Sequence, residues 1–233
     1  MRRFLPLLLA LALSLTLLVG CKPALYQDGT FTAVSDANDM GYVKAEVTIK
    51  GDKIQSVKLV GLDKLGLEKT EDYPYEAYHQ AITDLAKEMT DKNTWDVAAV
   101  SGATSTSEEA KQAVKRALEK ALVKPTATGQ YFDGKFMAIS DQEANGWTIA
   151  WVTIKDDKIT DVDFHSTTQN GEGQFVRKDE SYPYAPYHEA REVLPAQFVE
   201  KNGTDIDGMA GATGTVNALK QAVERALEQA SRN

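Results

Sequence analysis

A chain of 233 residues, 42% of them hydrophobic, is long enough for one or two ordinary packed domains. Its net charge of −8 argues against nucleic acid as a partner and against polybasic attraction to anionic lipid. A single Cys leaves no disulfide, and three His residues with no metal-ligand spacing give zinc or haem almost nothing to stand on.

The chain opens with a basic pair, Arg2 and Arg3, followed by an apolar run over residues 4–19 and the sequence Leu18-Val19-Gly20-Cys21. This pattern predicts a secretory leader over 1–20. Its ending resembles a bacterial lipobox, in which the leader is removed ahead of a cysteine that then carries lipid, here Cys21. An uncleaved transmembrane anchor is the alternative, but the run is short for one. Residues 21–25 then form a tether. The four residues after Cys21 reach only about 15 Å at ~3.3–3.6 Å each, which would hold the first domain close to a membrane face.

From Tyr26 onward a pattern begins that returns later. Tyr26, Asp28, Gly29, Phe31, Ala33, Ser35 and Asp36 recur as Tyr131, Asp133, Gly134, Phe136, Ala138, Ser140 and Asp141, an offset of 105 residues (Tyr26 to Tyr131). Tyr73-Pro74-Tyr75 and Tyr78-His79 recur as Tyr182-Pro183-Tyr184 and Tyr187-His188 at an offset of 109 (Tyr73 to Tyr182), so the second copy has gained four residues in between. A period this long is a duplicated domain, not a solenoid. The units run over 26–123 and 130–233, with the Pro- and Thr-bearing stretch 124–129 as linker.

Within each unit the predicted elements repeat. A short strand follows Asp-Gly, over 30–34 in the first copy. Val43, Ala45, Val47 and Ile49 alternate as in a half-buried strand; Thr148, Ala150, Val152 and Ile154 do so less cleanly. Polar turns at 50–53 and 155–158 lead to strands over 54–59 and 159–164, which gives antiparallel hairpins. A helix is expected over about 77–89, and over 187–198 in the second copy, where Pro195 is awkward for a continuous helix. The last helix of each unit starts at a Gly-Ala-Thr phrase, with Thr106 and Glu109 spaced as a capping box in the first copy only. The fold class is therefore α+β: two tandem copies of a small domain, each an antiparallel sheet packed against helices.

The phrases themselves are Ser101-Gly102-Ala103-Thr104 and Ala210-Gly211-Ala212-Thr213. Small residues and a hydroxyl at a helix start suit a phosphate, because unpaired N–H groups and the helix dipole point outward there. The bland alternative is a helix N-terminus capped by Ser or Thr. The Tyr-Pro-Tyr-x-x-Tyr-His phrase carries a similar choice: its rings stack on a cofactor, or they pack the sheet with their hydroxyls bonded at the rim. His79 and His188 read as caps or surface residues before proton partners. Trp95, Trp147 and Trp151 read as core or rim before cofactor contacts.

On the two phrases, the helices after them, the upstream hairpins and the leader, the chain resembles the bacterial FMN-binding domain family. That family includes flavin-bearing subunits of ion-pumping reductases and extracytoplasmic lipoproteins with two such domains. The resemblance implies FMN, one or two per chain, joined by a flavin transferase through a phosphoester to the Thr of an Asp-x-x-Ser/Thr-Gly-Ala-Thr phrase. Carried over residue by residue, it points to Thr213 with Asp207, Gly211 and Ala212, and to Thr104 with Ser101, Gly102 and Ala103. Neither phrase is complete. Ala210 replaces the Ser/Thr in the second, and Ala98 stands at the Asp position in the first. Glu108 and Glu109 would also repel a phosphate at the first site. By the resemblance, Asp, Ala and Thr are the stricter parts of the signal, so Thr213 is favoured over Thr104.

The resemblance implies an electron carrier, and no paired acid and base stands out in the sequence to favour a stand-alone catalyst over it. It would be anchored by Cys21 on the extracytoplasmic face of a bacterial membrane, with a membrane quinol or quinone-linked reductase as donor and an outer acceptor. The alternative is a ligand- or protein-binding module of the same fold without covalent flavin. A signalling role for the cleaved leader has little weight.

Overall fold

The computed structural model describes residues 23–233; the leader and Cys21 lie outside them. The first unit comprises β1 (Gly29–Val34), β2 (Tyr42–Lys50), β3 (Lys53–Leu62), α1 (Glu76–Lys92) and α2 (Thr104–Lys120). The second comprises β4 (Gly134–Ile139), β5 (Thr148–Lys155), β6 (Lys158–Gln169), β7 (Phe175–Arg177), α3 (Ala185–Lys201) and α4 (Thr213–Ala230). Both sheets are antiparallel, ordered β1-β2-β3 and β4-β5-β6-β7. In each unit the first helix packs on the last long strand and the second helix covers the other two. Among the described residues no helix is long and apolar enough to cross a membrane.

The hairpins close where the polar turns predicted them. Gly51 and Asp52, and Asp156 and Asp157, take positive φ, the left-handed geometry that two-residue hairpin turns require. Asp52 also accepts the Leu25 and Tyr26 N–H groups at 2.9 Å, and Asp157 accepts that of Tyr131 at 2.8 Å, so each turn holds the start of its own unit. Asn93 and Asn202 end α1 and α3 in left-handed geometry. Their side-chain oxygens accept the Ile54 and Ile159 N–H groups at 2.7 Å, which ties each helix end to its hairpin.

Three local expectations change. The helix over Pro195 is continuous, because Leu194 and Phe198 on its inner face are fully buried and hold it to β6 despite the ladder bond that proline cannot make. The residues gained by the second copy lengthen the hairpin after β6, so that a fourth strand, β7, pairs with the end of β6 from Thr167 to Gln169 where the first unit has only a Leu62–Glu68 bridge. The Thr106–Glu109 capping box does not form: α2 begins two residues earlier, and the Glu109 carboxylate instead accepts the Asn38 amide at 2.6 Å.

The units are docked asymmetrically, and this explains the weaker alternation in β5. Met137, Ile149 and Trp151 are buried on the sheet face away from α3 and α4, whereas their counterparts Thr32, Lys44 and Glu46 are exposed. Val34, Ala37, Tyr42, Leu62, Leu65 and Leu67 of the first unit pack into the core of the second. Polar bonds fix the contact. The Ala37 N–H donates to the Lys135 carbonyl at 2.7 Å, the Trp147 indole to the Leu65 carbonyl at 2.8 Å, and the Gln229 amide to the Tyr42 hydroxyl at 3.1 Å. At the centre Arg116, 6% exposed, donates to the Val34 carbonyl (2.9 Å), Asp36 (2.7 Å) and the Asp133 carbonyl (2.8 Å).

Candidate functional site

Each Gly-Ala-Thr phrase makes the same turn into its helix. Gly102 and Gly211 take φ of +80° and +76°, a region costly for a residue with a Cβ. Ala103 and Ala212 are buried N-caps, and neither helix has a side-chain cap. The first ladder bonds run from Ser107 N–H to the Ala103 carbonyl and from Val216 N–H to the Ala212 carbonyl, both at 2.9 Å. The N–H groups of the three preceding residues therefore stand ahead of each ladder. Thr104 and Thr213, the first helical residues, are exposed and their hydroxyls are not used for capping. The Ser/Thr-capped alternative is thus not what the chain builds. Ser101 and Asp207 are exposed as well. Asp207 is held in the approach to α4 by its N–H, which donates to Gln197 at 2.9 Å.

The Tyr-Pro-Tyr phrase supports this turn from below. Tyr75 and Tyr184 donate their hydroxyls to the Gly102 and Gly211 carbonyls. Tyr78 and Tyr187 are buried, and their hydroxyls accept the N–H groups of Gly61 (2.8 Å) and Ser166 (3.0 Å). His79 and His188 bond through Nε2 to the carbonyls of Tyr73 (2.8 Å) and Tyr182 (2.7 Å). The packing role accounts for these four inner side chains. The outer tyrosines are coupled directly to the phrase.

The two units differ in what surrounds the phrase. In the second, a cavity of about 480 Å³ opens along the first turns of α4, against Gly214, Thr215, Asn217, Ala218 and Gln221. That volume lies within the usual range for a small-molecule site, roughly 300–1,000 Å³. Its floor carries hydroxyls at buried positions: Ser140, Thr148, Ser166 and Thr167. Thr148 and Ser166 bond to each other at 2.9 Å, and Ser140 accepts the Thr148 N–H at 2.9 Å. Asp141 at the rim is held by Arg225 (2.5 Å) and Gln221 (2.9 Å), whose hydrogen bonds pull its carboxyl below the usual range. Lys178, Trp147 and the turn residues Glu143, Asn145 and Gly146 complete the lining. Trp147 is therefore both a core residue and a wall of the cavity, whereas Trp151 is core alone.

In the first unit the matching floor positions are Val43, Gly61 and Leu62, with only Ser35 keeping its hydroxyl. Leu62 and Tyr42 are drawn into the contact with the second unit. The cavity of about 470 Å³ along α2 is lined instead by Asp36, Asn38, Trp95, Glu108, Glu109 and neighbouring lysines. Burial pushes the Glu109 carboxyl up and the Lys69 ammonium down, and the opposite charge of each works against the other's shift. The hydroxyl floor escaped the sequence reading. Its members come from the ends of three strands, and in the sequence they look like ordinary strand residues.

The FMN-binding domain family matches the chain twice, at residues 40–119 and 145–228. No curated protein sequence matches the chain. Similar solved structures include two from Clostridium species. A crystallised protein from Clostridium perfringens shows 24% identity and a TM-score of 0.37, over 42% of this chain and 89% of that one. A protein from Clostridium thermocellum, solved by solution NMR, shows 21% identity and a TM-score of 0.26, over 42% of this chain and 85% of that one. With both matches falling on the two duplicated units, the chain belongs to the FMN-binding domain family and carries two such domains in series.

Proposed function

We propose that the protein is an extracytoplasmic flavoprotein, anchored to a bacterial membrane by lipid on Cys21, that carries electrons through FMN joined by its phosphate to Thr213. The observation that carries this reading is the hydroxyl-floored cavity beside the open start of α4. The residues there fit the group. Thr213 offers an exposed hydroxyl, and the N–H groups of Thr213, Gly214 and Thr215 and the helix dipole favour a phosphate. Asn217 and Ala218 in the first turns bring no negative charge. Thr148 and Ser166, whose mutual bond uses one of their two hydroxyl protons, offer a donor and acceptors to a polar ring edge, while Ser140 and Thr167 donate theirs to the Asp141 and Trp147 carbonyls. Tyr184 fixes the Gly211 carbonyl, and with it the turn that presents Thr213.

Bound FMN would supply the electron-transfer chemistry, and the chain supplies attachment, orientation and tuning. A covalent link suits an extracytoplasmic site, since a dissociating flavin would be lost to dilution. A flavin transferase would make that link. The electron donor in this reading is a membrane quinol or a quinone-linked reductase, and the acceptor lies outward.

The first domain fits FMN less well. Its phrase faces Glu108 and Glu109, and its floor is apolar where the second has hydroxyls. A load of one FMN per chain, on Thr213, is the expected state, with Thr104 as a weaker second site. The same features favour a secondary reading for this domain alone, as a binding and docking module of the same fold without covalent flavin.

Intact mass of the mature protein, made with a flavin transferase present, tests the proposal. One FMN adduct, lost with Thr213→Ala and kept with Thr104→Ala, is the expected result. The same spectrum would report lipid on Cys21. No adduct on any form would overturn the covalent carrier in favour of the binding module.

A further inference from the structure

Lys178 follows β7 directly, and its N–H donates to the Ser166 carbonyl at 2.8 Å, so it is pinned to the cavity floor and not to α4. Its ammonium lies 4.2 Å from the centroid of Tyr182 and 5.1 Å from that of Tyr187. The Tyr187 ring is itself locked by the Ser166 N–H. Lys178 is the only cation in the cavity lining, which also holds the carboxylates of Asp141, paired with Arg225, and Glu143; among the described residues neither forms an ion pair with Lys178.

The first domain repeats the arrangement with one difference. The Lys69 N–H donates to the Gly61 carbonyl at 2.9 Å, and its ammonium lies over Tyr73 and Tyr78 at 5.0 and 5.4 Å. There the acidic side chains Glu109 and Asp63 act on it. At the position of Glu109 the second domain has Ala218, which lines the cavity together with Lys178. The same cation on the same aromatic cradle thus has Glu109 acting on it from the helix in one domain, whereas in the other it faces a cavity whose carboxylates, Asp141 and Glu143, come from the segment after β4.

We propose that Lys178 sets the redox poise of the flavin in the second domain, a role that rests on the reading above that FMN occupies this cavity. Uptake of two electrons and one proton by a neutral oxidised flavin ring leaves one negative charge, and a second proton removes it. A fixed ammonium beside the ring stabilises the charged reduced form over the neutral oxidised one. It also delays uptake of the second proton to lower pH.

The test is a spectroelectrochemical titration of the FMN-loaded full chain across pH, for wild type, Lys178→Met, Lys178→Arg and Lys69→Met. FMN load is counted first by intact mass. Lys178→Met is expected to lower the equilibrium constant for reduction about tenfold, roughly 30 mV for a two-electron couple. It should also raise the pH at which the reduced flavin takes its second proton. Lys178→Arg should restore both readouts in large part, and Lys69→Met should match wild type. A loaded Lys178→Met with wild-type potential and proton uptake overturns the role. So does a folded Lys178→Met that carries no FMN, which would make the lysine an anchor for the cofactor and not a tuner. Absence of FMN from wild type would instead strike the parent reading.

Discussion

Replacing Arg116 by Met should cost far more than the same change at its counterpart Arg225, although both arginines occupy the same position in their own unit. Arg225 donates to the Ile139 carbonyl at 2.8 Å and to Asp141 at 2.5 Å, and its side chain is 38% exposed. Arg116 makes the matching bonds to Val34 and Asp36, adds one to the Asp133 carbonyl of the other unit, and its side chain is 7% exposed. Its guanidinium also lies 4.9 Å from the Phe136 centroid and 5.4 Å from that of Phe132.

Each bond from a charged donor to a carbonyl is worth about 1.5–3 kcal/mol. The aromatic contacts add about 0.5–2 kcal/mol. The pair with Asp36 adds about 1 kcal/mol or less, because that carboxylate is 44% exposed and stays solvated after the change. Met recovers part of the loss by filling the space. Arg116→Met should therefore cost about 3–5 kcal/mol and Arg225→Met about 2 kcal/mol. Urea unfolding followed by circular dichroism and tryptophan fluorescence measures both, with the larger loss lowering Tm by about 10 °C in a chain of this size. Equal losses at the two positions would refute the claim that Arg116 joins the units.

Other outcomes follow from the same geometry. Gly211→Ala should destabilise by about 1–2 kcal/mol, because its φ of +76° is costly for a residue with a Cβ. Gly214→Ala, inside α4 with open space around it, should stabilise by about 0.5–1 kcal/mol, so thermal melts should move in opposite directions. Glu109→Gln should raise stability at neutral pH. The buried carboxyl has a raised pKa, so folding opposes its ionisation above the ordinary value of 4.5, and the gain over wild type should vanish in melts below that pH. His165 is held below its ordinary value of 6.5, first by burial and then by Arg191. The unfolded chain therefore binds its proton first, stability falls as pH drops below about 6.5, and His165→Gln should flatten that part of a stability–pH curve.

The repeat, the hairpins, the helix starts and the family were all legible in the sequence, because local chemistry fixes each of them. An Asp or Gly at a positive-φ turn, a 2.0-residue alternation and a glycine before a helix each carry their own signal. Pro195 misled for the complementary reason. Local propensity disfavours it, and the burial of Leu194 and Phe198 outweighs that propensity. Strand β7 was hidden because three residues at the edge of a sheet have too short a pattern to read, and only pairing with β6 makes them a strand. The uneven alternation of β5 was visible without its cause.

By itself, then, the sequence determined that this protein is a duplicated α+β domain with two Gly-Ala-Thr helix starts. The tertiary structure decided how the copies differ. Docking buries Met137, Ile149 and Trp151 beneath the first unit and draws Tyr42 and Leu62 into the contact. It leaves the second cavity to Ser140, Thr148, Ser166, Thr167 and Lys178. The reason is physical: turns and helix starts depend on neighbours along the chain. A cavity depends on which side chains from distant strands share a face, and on which of those faces another domain covers.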